Sequence, residues 1–121
     1  MRNDRPLHTV VETPEFLDRA KGLFTEAERI GLVNRLAENP QSGDLMEGTG
    51  GARKLRVGAL GKGKSGGARV ITFYAGPGDP VFMMTAFGKG EKANLNKAER
   101  NELRMILAEL VRVYRERMTG P

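Results

Sequence analysis

Cysteine is absent from the 121-residue chain, so disulfides, thiolate metal sites and cysteine nucleophiles are excluded. Histidine is nearly absent. His8 stands alone, which removes mechanisms that need a histidine pair, and the usual nucleophilic triads are out as well. His8 itself reads as a strand-start or surface residue. No apolar run approaches the roughly 18 residues of a membrane span. The opening MRNDRPLHTV has no apolar core of the kind a secretory signal carries. No carboxylate pair stands out from ordinary helix-surface ones, so no metal site and no cofactor is expected. What remains is one small, basic domain, expected in the cytoplasm. At this length it buries about two thirds of its unfolded surface without any staple.

The charge that is present is uneven. Lys and Arg number 20 against 15 Asp and Glu, a net charge of +5. From Gly48 to Gly78 there is no Asp or Glu, while Arg53, Lys54, Arg56, Lys62, Lys64 and Arg69 all fall there. Ten of the 16 glycines fall there too. Charge runs are usually solvated faces. Here the cations alternate with strand-forming residues, which points to an anionic partner, nucleic acid first.

The element order follows from periodicity and caps. Residues 1–7 read as a loose tail and 8–121 as a single domain. HTVVE, from His8 to Glu12, is a short strand. Thr13-Pro14 starts a short helix, a hydroxyl cap followed by Pro at the first helical position. Thr25 with Glu28 forms a capping box for a second helix, with Ile30, Val33 and Ala37 as its apolar positions and Leu32 and Leu36 beside them. Asn39-Pro40 stops it. Residues 41–51 read as loop. Strands follow at Ala52–Ala59, Ala68–Ala75 and Val81–Phe87. The last has two apolar faces and is expected to be central. Asn96 and Glu99 cap a final helix with a stripe of Leu103, Ile106, Leu107, Leu110, Val111 and Tyr114. The expected class is α+β, in the order β-α-α-β-β-β-α. The first strand should pair with an antiparallel meander, and the helices should cover one face.

Gly58 to Ser65 (GALGKGKS) matches the GxxxxGK[ST] phosphate-loop pattern. That loop needs a helix immediately after it, because the helix N-terminus supplies part of the anion site. Here a strand follows, so the pattern reads as a hairpin loop whose Lys62 and Lys64 reach a polyanion or are simply solvated.

The available chemistry is therefore cationic. Lys54 and Arg56, two apart in a strand, project from one face. Arg69 lies across the hairpin, and Lys89 and Lys92 follow the third strand. Such a set cannot coordinate a metal, but it can bind a phosphate and stabilise the added charge of a pentacovalent transition state. RNA brings its own nucleophile in the 2′-OH. Composition and spacing alone leave two readings open, a phosphate-contacting patch without chemistry and RNA cleavage through a 2′,3′-cyclic phosphate.

Three segments decide the comparison: Gly48 to Val57 (GTGGARKLRV), Gly61 to Ile71 (GKGKSGGARVI), and Phe87-Gly88-Lys89, with Asn94-Leu95-Asn96 beyond. On these the chain resembles the RelE/ParE superfamily of bacterial type II toxins, specifically the HigB-type mRNA interferases, over about His8 to Tyr114. The resemblance implies a compact antiparallel sheet backed by helices. It implies an endoribonuclease that cuts mRNA in the ribosomal A site. It further implies a cognate antitoxin, usually of helix-turn-helix type, and operator DNA as target of the toxin–antitoxin complex. By motif, Lys54, Arg56, Arg69 and Lys89 fall on the catalytic basic positions, and Arg53, Lys62, Lys64 and Lys92 on RNA- or ribosome-contacting ones. Guanidinium does not deprotonate in proteins, so Lys54 is the proton-transfer candidate and Arg56 and Arg69 are phosphate clamps. Two departures are visible: Gly90 stands where RelE-like members carry an Arg, and no aromatic occurs in Ala93 to Asn96, where RelE carries a base-stacking Tyr. Two other readings use the same sequence, a ParE-like gyrase inhibitor and a non-catalytic RNA-binding module.

Overall fold

The computed structural model describes residues 7–58, 67–88, 90–91 and 94–119. These form β1 (Val10–Glu12), α1 (Pro14–Ala20), α2 (Glu26–Glu38), β2 (Asp44–Leu45), β3 (Ala52–Val57), β4 (Ala68–Tyr74), β5 (Val81–Gly88) and α3 (Lys97–Thr119). The expected tail, apart from Leu7, lies outside the described residues. The five strands form one sheet in the order β1-β5-β4-β3-β2. β2 to β5 run antiparallel to their neighbours, and β1 joins β5 in parallel. The expected α+β class holds, as does the pairing of the first strand with the meander.

Three details differ from the sequence reading. β2 sits inside the stretch read as loop, because two residues carry no readable alternation. β4, not β5, takes the middle place, with β5 also interior. Most important, helices cover both faces. One core joins Phe16, Ala20, Leu32 and Leu36 of α1 and α2 to Leu55, Val57, Val70 and Met83. The other joins Leu107 of α3 to Ala52, Ile71, Phe73, Phe82 and Phe87. The two-sided apolar pattern of β4 and β5 requires this, since each face must be removed from water.

The caps form as their side chains dictate. Thr25 and Glu28 close a capping box on α2. Asn96 and Glu99 exchange reciprocal hydrogen bonds at the start of α3, at 2.8 and 2.9 Å. In α2 the buried positions are Leu32 and Leu36, and Ile30 is 46% exposed. In α3, Ile106 turns away from the core while Leu103, Leu110, Val111 and Tyr114 pack onto it. Thr13 does more than cap. Its hydroxyl accepts from Phe16 N–H and donates toward the carbonyls of Met83 and Met84, at 2.7 and 3.0 Å. Those carbonyls lie where β5 bulges: Thr85 pairs with Ile71 and Met83 with Thr72, so Met84 is the extra residue.

The turn from β2 to β3 is built around a buried threonine. Thr49 is fully buried, donates to Met46 C=O at 2.7 Å and accepts from Ala52 N–H at 3.0 Å. Gly51 has φ of +120°, and a Cβ there would lie 3.2 Å from the Phe73 ring, so backbone and packing both require glycine. Replacing Thr49 by Val keeps the shape and strands the Ala52 N–H. We expect Thr49→Val to cost about 1–3 kcal/mol, seen as a lower urea midpoint with an unchanged slope.

Candidate functional site

Alternation along β3 sends Leu55 and Val57 into the core under α1 and α2. Ala52, Lys54 and Arg56 therefore face the α3 side. Pairing then arranges the site as rungs across that face. Lys54 stands opposite Ile71, and Ile71 opposite Thr85. One rung further, Arg56 stands opposite Arg69, and Arg69 opposite Phe87. Asp44 of β2 extends the first rung beyond Lys54. α3 packs over the Ala52, Phe73 and Phe82 end of this face, with Tyr114 edge-on to Phe82 at 5.9 Å. The cations occupy the other end.

Three of the expected site residues, Lys54, Arg56 and Arg69, are thus brought together. Lys54 Nζ donates to Asn94 Oδ1 at 2.9 Å, just ahead of α3. Arg56 is exposed and Arg69 half-buried. Arg53 belongs to the opposite parity; its guanidinium donates to Gly43 C=O at 3.0 Å and braces the β2 edge. Lys62, Lys64, Lys89 and Lys92 lie outside the described residues, as does most of the GxxxxGK[ST] segment, whose next described element is the strand β4. His8 sits ahead of β1 with its ring edge-on to Tyr74, away from the rungs.

The Arg56–Arg69 rung sets two arginines directly opposite each other. Arg19, Arg29, Arg112 and Arg115 each hold a carboxylate. Arg56 and Arg69 hold none among the described residues, and Arg69 Nη1 is buried without a hydrogen-bond partner. Like charges directly opposite across a strand pair are destabilising, and a buried unsatisfied donor costs about 1–3 kcal/mol. A bound anion would relieve both. Among the described residues no cluster of His, Asp and Glu is built to hold a metal ion.

Sequence reasoning missed Asp44, Glu47 and Arg100. With Lys54 and Asn94 they line a cleft of about 230 Å³. Asp44 is legible only once β2 is known to be a strand in register with β3.

A model of the RelE toxin of the RelE/RelB toxin–antitoxin system matches residues 23–120. This chain belongs to the RelE toxin family. The match spans both cationic rungs and the cleft beside them. As a RelE-family toxin of a type II toxin–antitoxin system, the protein has a cognate antitoxin as its partner. Among the described residues no helix is long and apolar enough to cross a membrane.

The RelE-family toxin secures the end of β5 next to the site. Gly88 N–H donates to Glu91 Oε1 at 2.8 Å, and Arg19 pairs with the same carboxylate while donating to Ala86 C=O. Gly90 has φ of +94°, left-handed backbone that a side chain strains, so this turn favours glycine. The Gly88 N–H and then Arg19 hold the Glu91 carboxyl below its ordinary value. Its stabilising contribution is therefore present above that ordinary value and lost as pH falls through the lowered one. Glu91→Gln should lower the melting temperature at neutral pH, and the gap to wild type should close progressively below about pH 4.5.

Proposed function

We propose that this toxin is a HigB-type, ribosome-dependent endoribonuclease that cleaves translated mRNA in the A site. The observation that carries the reading is the Arg56–Arg69 rung: two arginines directly opposite across the β3–β4 pair, without carboxylates among the described residues, one with a buried donor lacking a partner. Guanidinium stays charged at all working pH and presents a planar fork that matches phosphate oxygens. A phosphodiester held on this rung gains most when its phosphorus becomes pentacovalent and its charge grows, which is the condition for lowering a barrier. The 2′-oxygen of the preceding nucleotide attacks phosphorus, the bond to the 5′-oxygen breaks, and the products are a 2′,3′-cyclic phosphate and a 5′-OH.

In this reading Arg56 and Arg69 are the clamps and Lys54, one rung away, is the group that exchanges a proton with the substrate. Lys89 adds charge after β5. Arg53, Lys62, Lys64 and Lys92 supply contacts to mRNA or ribosomal RNA phosphates. No metal or other cofactor takes part. The antitoxin is of helix-turn-helix type and carries the complex to operator DNA, and the toxin acts in the cytoplasm.

Mapping RNA 5′ ends in a purified translation reaction tests this. Cuts should appear on ribosome-engaged message and not on free message. Arg69→Ala and Arg56→Ala should each lower the cleavage rate about 10²–10³-fold, the usual loss when one charge-stabilising donor is removed. Absence of cuts by the wild-type toxin with and without 70S ribosomes would overturn the reading. DNA supercoiling by gyrase would then be the next assay.

A further inference from the structure

The clamp leaves one step without an agent: something must take the proton from the 2′-OH. Neither arginine can accept one. The cleft beside Lys54 contains carboxylates that can. Asp44 stands directly opposite Lys54 in the β2–β3 register, so its side chain rises from the same sheet face. Opposite residues in an antiparallel pair have Cβ atoms about 4.5–5.5 Å apart. The two side chains do not close into an ion pair. Asp44 is exposed, and its carboxylate has no ion pair or hydrogen bond among the described residues, while Lys54 Nζ turns to Asn94. An open carboxylate is thus set one strand from Lys54 and one rung from the phosphate clamp.

We propose that Asp44 is the proton acceptor of the cleavage step, with Lys54 as the matching donor. The proposal rests on the endoribonuclease reading above. The Asp44 carboxylate takes the 2′-OH proton as the 2′-oxygen to phosphorus bond forms. The bond from phosphorus to the 5′-oxygen breaks, and the Lys54 ammonium protonates that oxygen as it leaves. The site then holds a carboxylic acid facing a neutral amine across one strand pair. Transfer of the proton between them restores the starting state, so no outside acid or base is consumed. The other groups in the cleft are Glu47 from the turn after β2, Arg100 from α3 and Asn94. Glu47 is the competing carboxylate. It lies beyond the strand, with no register partner fixing it against Lys54.

The test uses the full-length toxin on 70S ribosomes programmed with one message. Asp44→Asn should lower kcat about 10²–10⁴-fold, the usual range for general acid–base groups. KM for programmed ribosomes should stay within about twofold, since a catalytic proton acceptor acts in the transition state and not in binding. Asp44→Glu should recover part of the rate, and Glu47→Gln should lower kcat far less than Asp44→Asn. A message carrying bridging sulfur in place of the 5′-oxygen separates the two roles, because a thiolate leaves without a proton. The Lys54→Ala defect should shrink on that message and the Asp44→Asn defect should persist. Melting curves of Asp44→Asn matching wild type would establish that the variant folds. The inference is overturned by wild-type kcat in Asp44→Asn or by a change confined to KM. Rescue of Asp44→Asn by the sulfur message, or loss of rate in Glu47→Gln alone, also overturns it. A wild-type toxin that leaves both messages intact instead removes the reading beneath it.

Discussion

The register between β3 and β4 is the constraint on which the rest of the molecule depends. With Arg56 opposite Arg69 and Lys54 opposite Ile71, the cations of the site rise from one face, while the intervening Leu55, Val57 and Val70 sink into the core on the other. A slip of one residue would exchange the two sets, putting arginines under α1 and α2 and Leu55 and Val57 into water. The hydrophobic cores on the two faces therefore enforce the placement of the charges. The placement of the cations on one face is obtained from burial of the other.

That arrangement carries an internal cost. Two arginines stand opposite each other on adjacent strands, and Arg69 Nη1 is buried without a partner. Some arginines elsewhere are neutralised, with Glu91 on Arg19, Glu12 on Arg29 and Asp79 on Arg115. The sheet's two cores outweigh the local repulsion, and the repulsion leaves affinity for an anion in reserve. Strain of this kind belongs at functional sites, where local rules are broken and compensated elsewhere.

Much of this was legible in the residues. The Thr25–Glu28 and Asn96–Glu99 boxes fixed two helix starts, because capping chemistry is local. The alternation of Lys54 and Arg56 against Leu55 and Val57 gave the polarity of β3, because a strand has period two. What was not legible is what depends on distant partners. β2 has two residues and exists only because β3 offers it an edge. Without β2 there is no reason to look at Asp44. The second covered face was hidden for a similar reason: apolar residues on both sides of β5 show that both are buried, not which helix buries each. Arg53 falls on the other face from Lys54 and Arg56, because strand parity divides neighbouring cations between faces.

The parallel strand β1 has a consequence for how the molecule comes into being. Its partner is β5, and Thr13, which ends the β1 segment, bonds to Met83 and Met84 some 70 residues further along the chain. Pairings so remote must wait until the intervening chain is made, and long-range parallel contacts form slowly even then. During synthesis the first strand and α1 therefore emerge with α2 to meet but without their sheet partner until β5 has left the ribosome. The rungs of the site draw on β2 through β5 as well, so they are assembled only near the end of translation. Topology thus sets the order of assembly, and the cationic face is completed late.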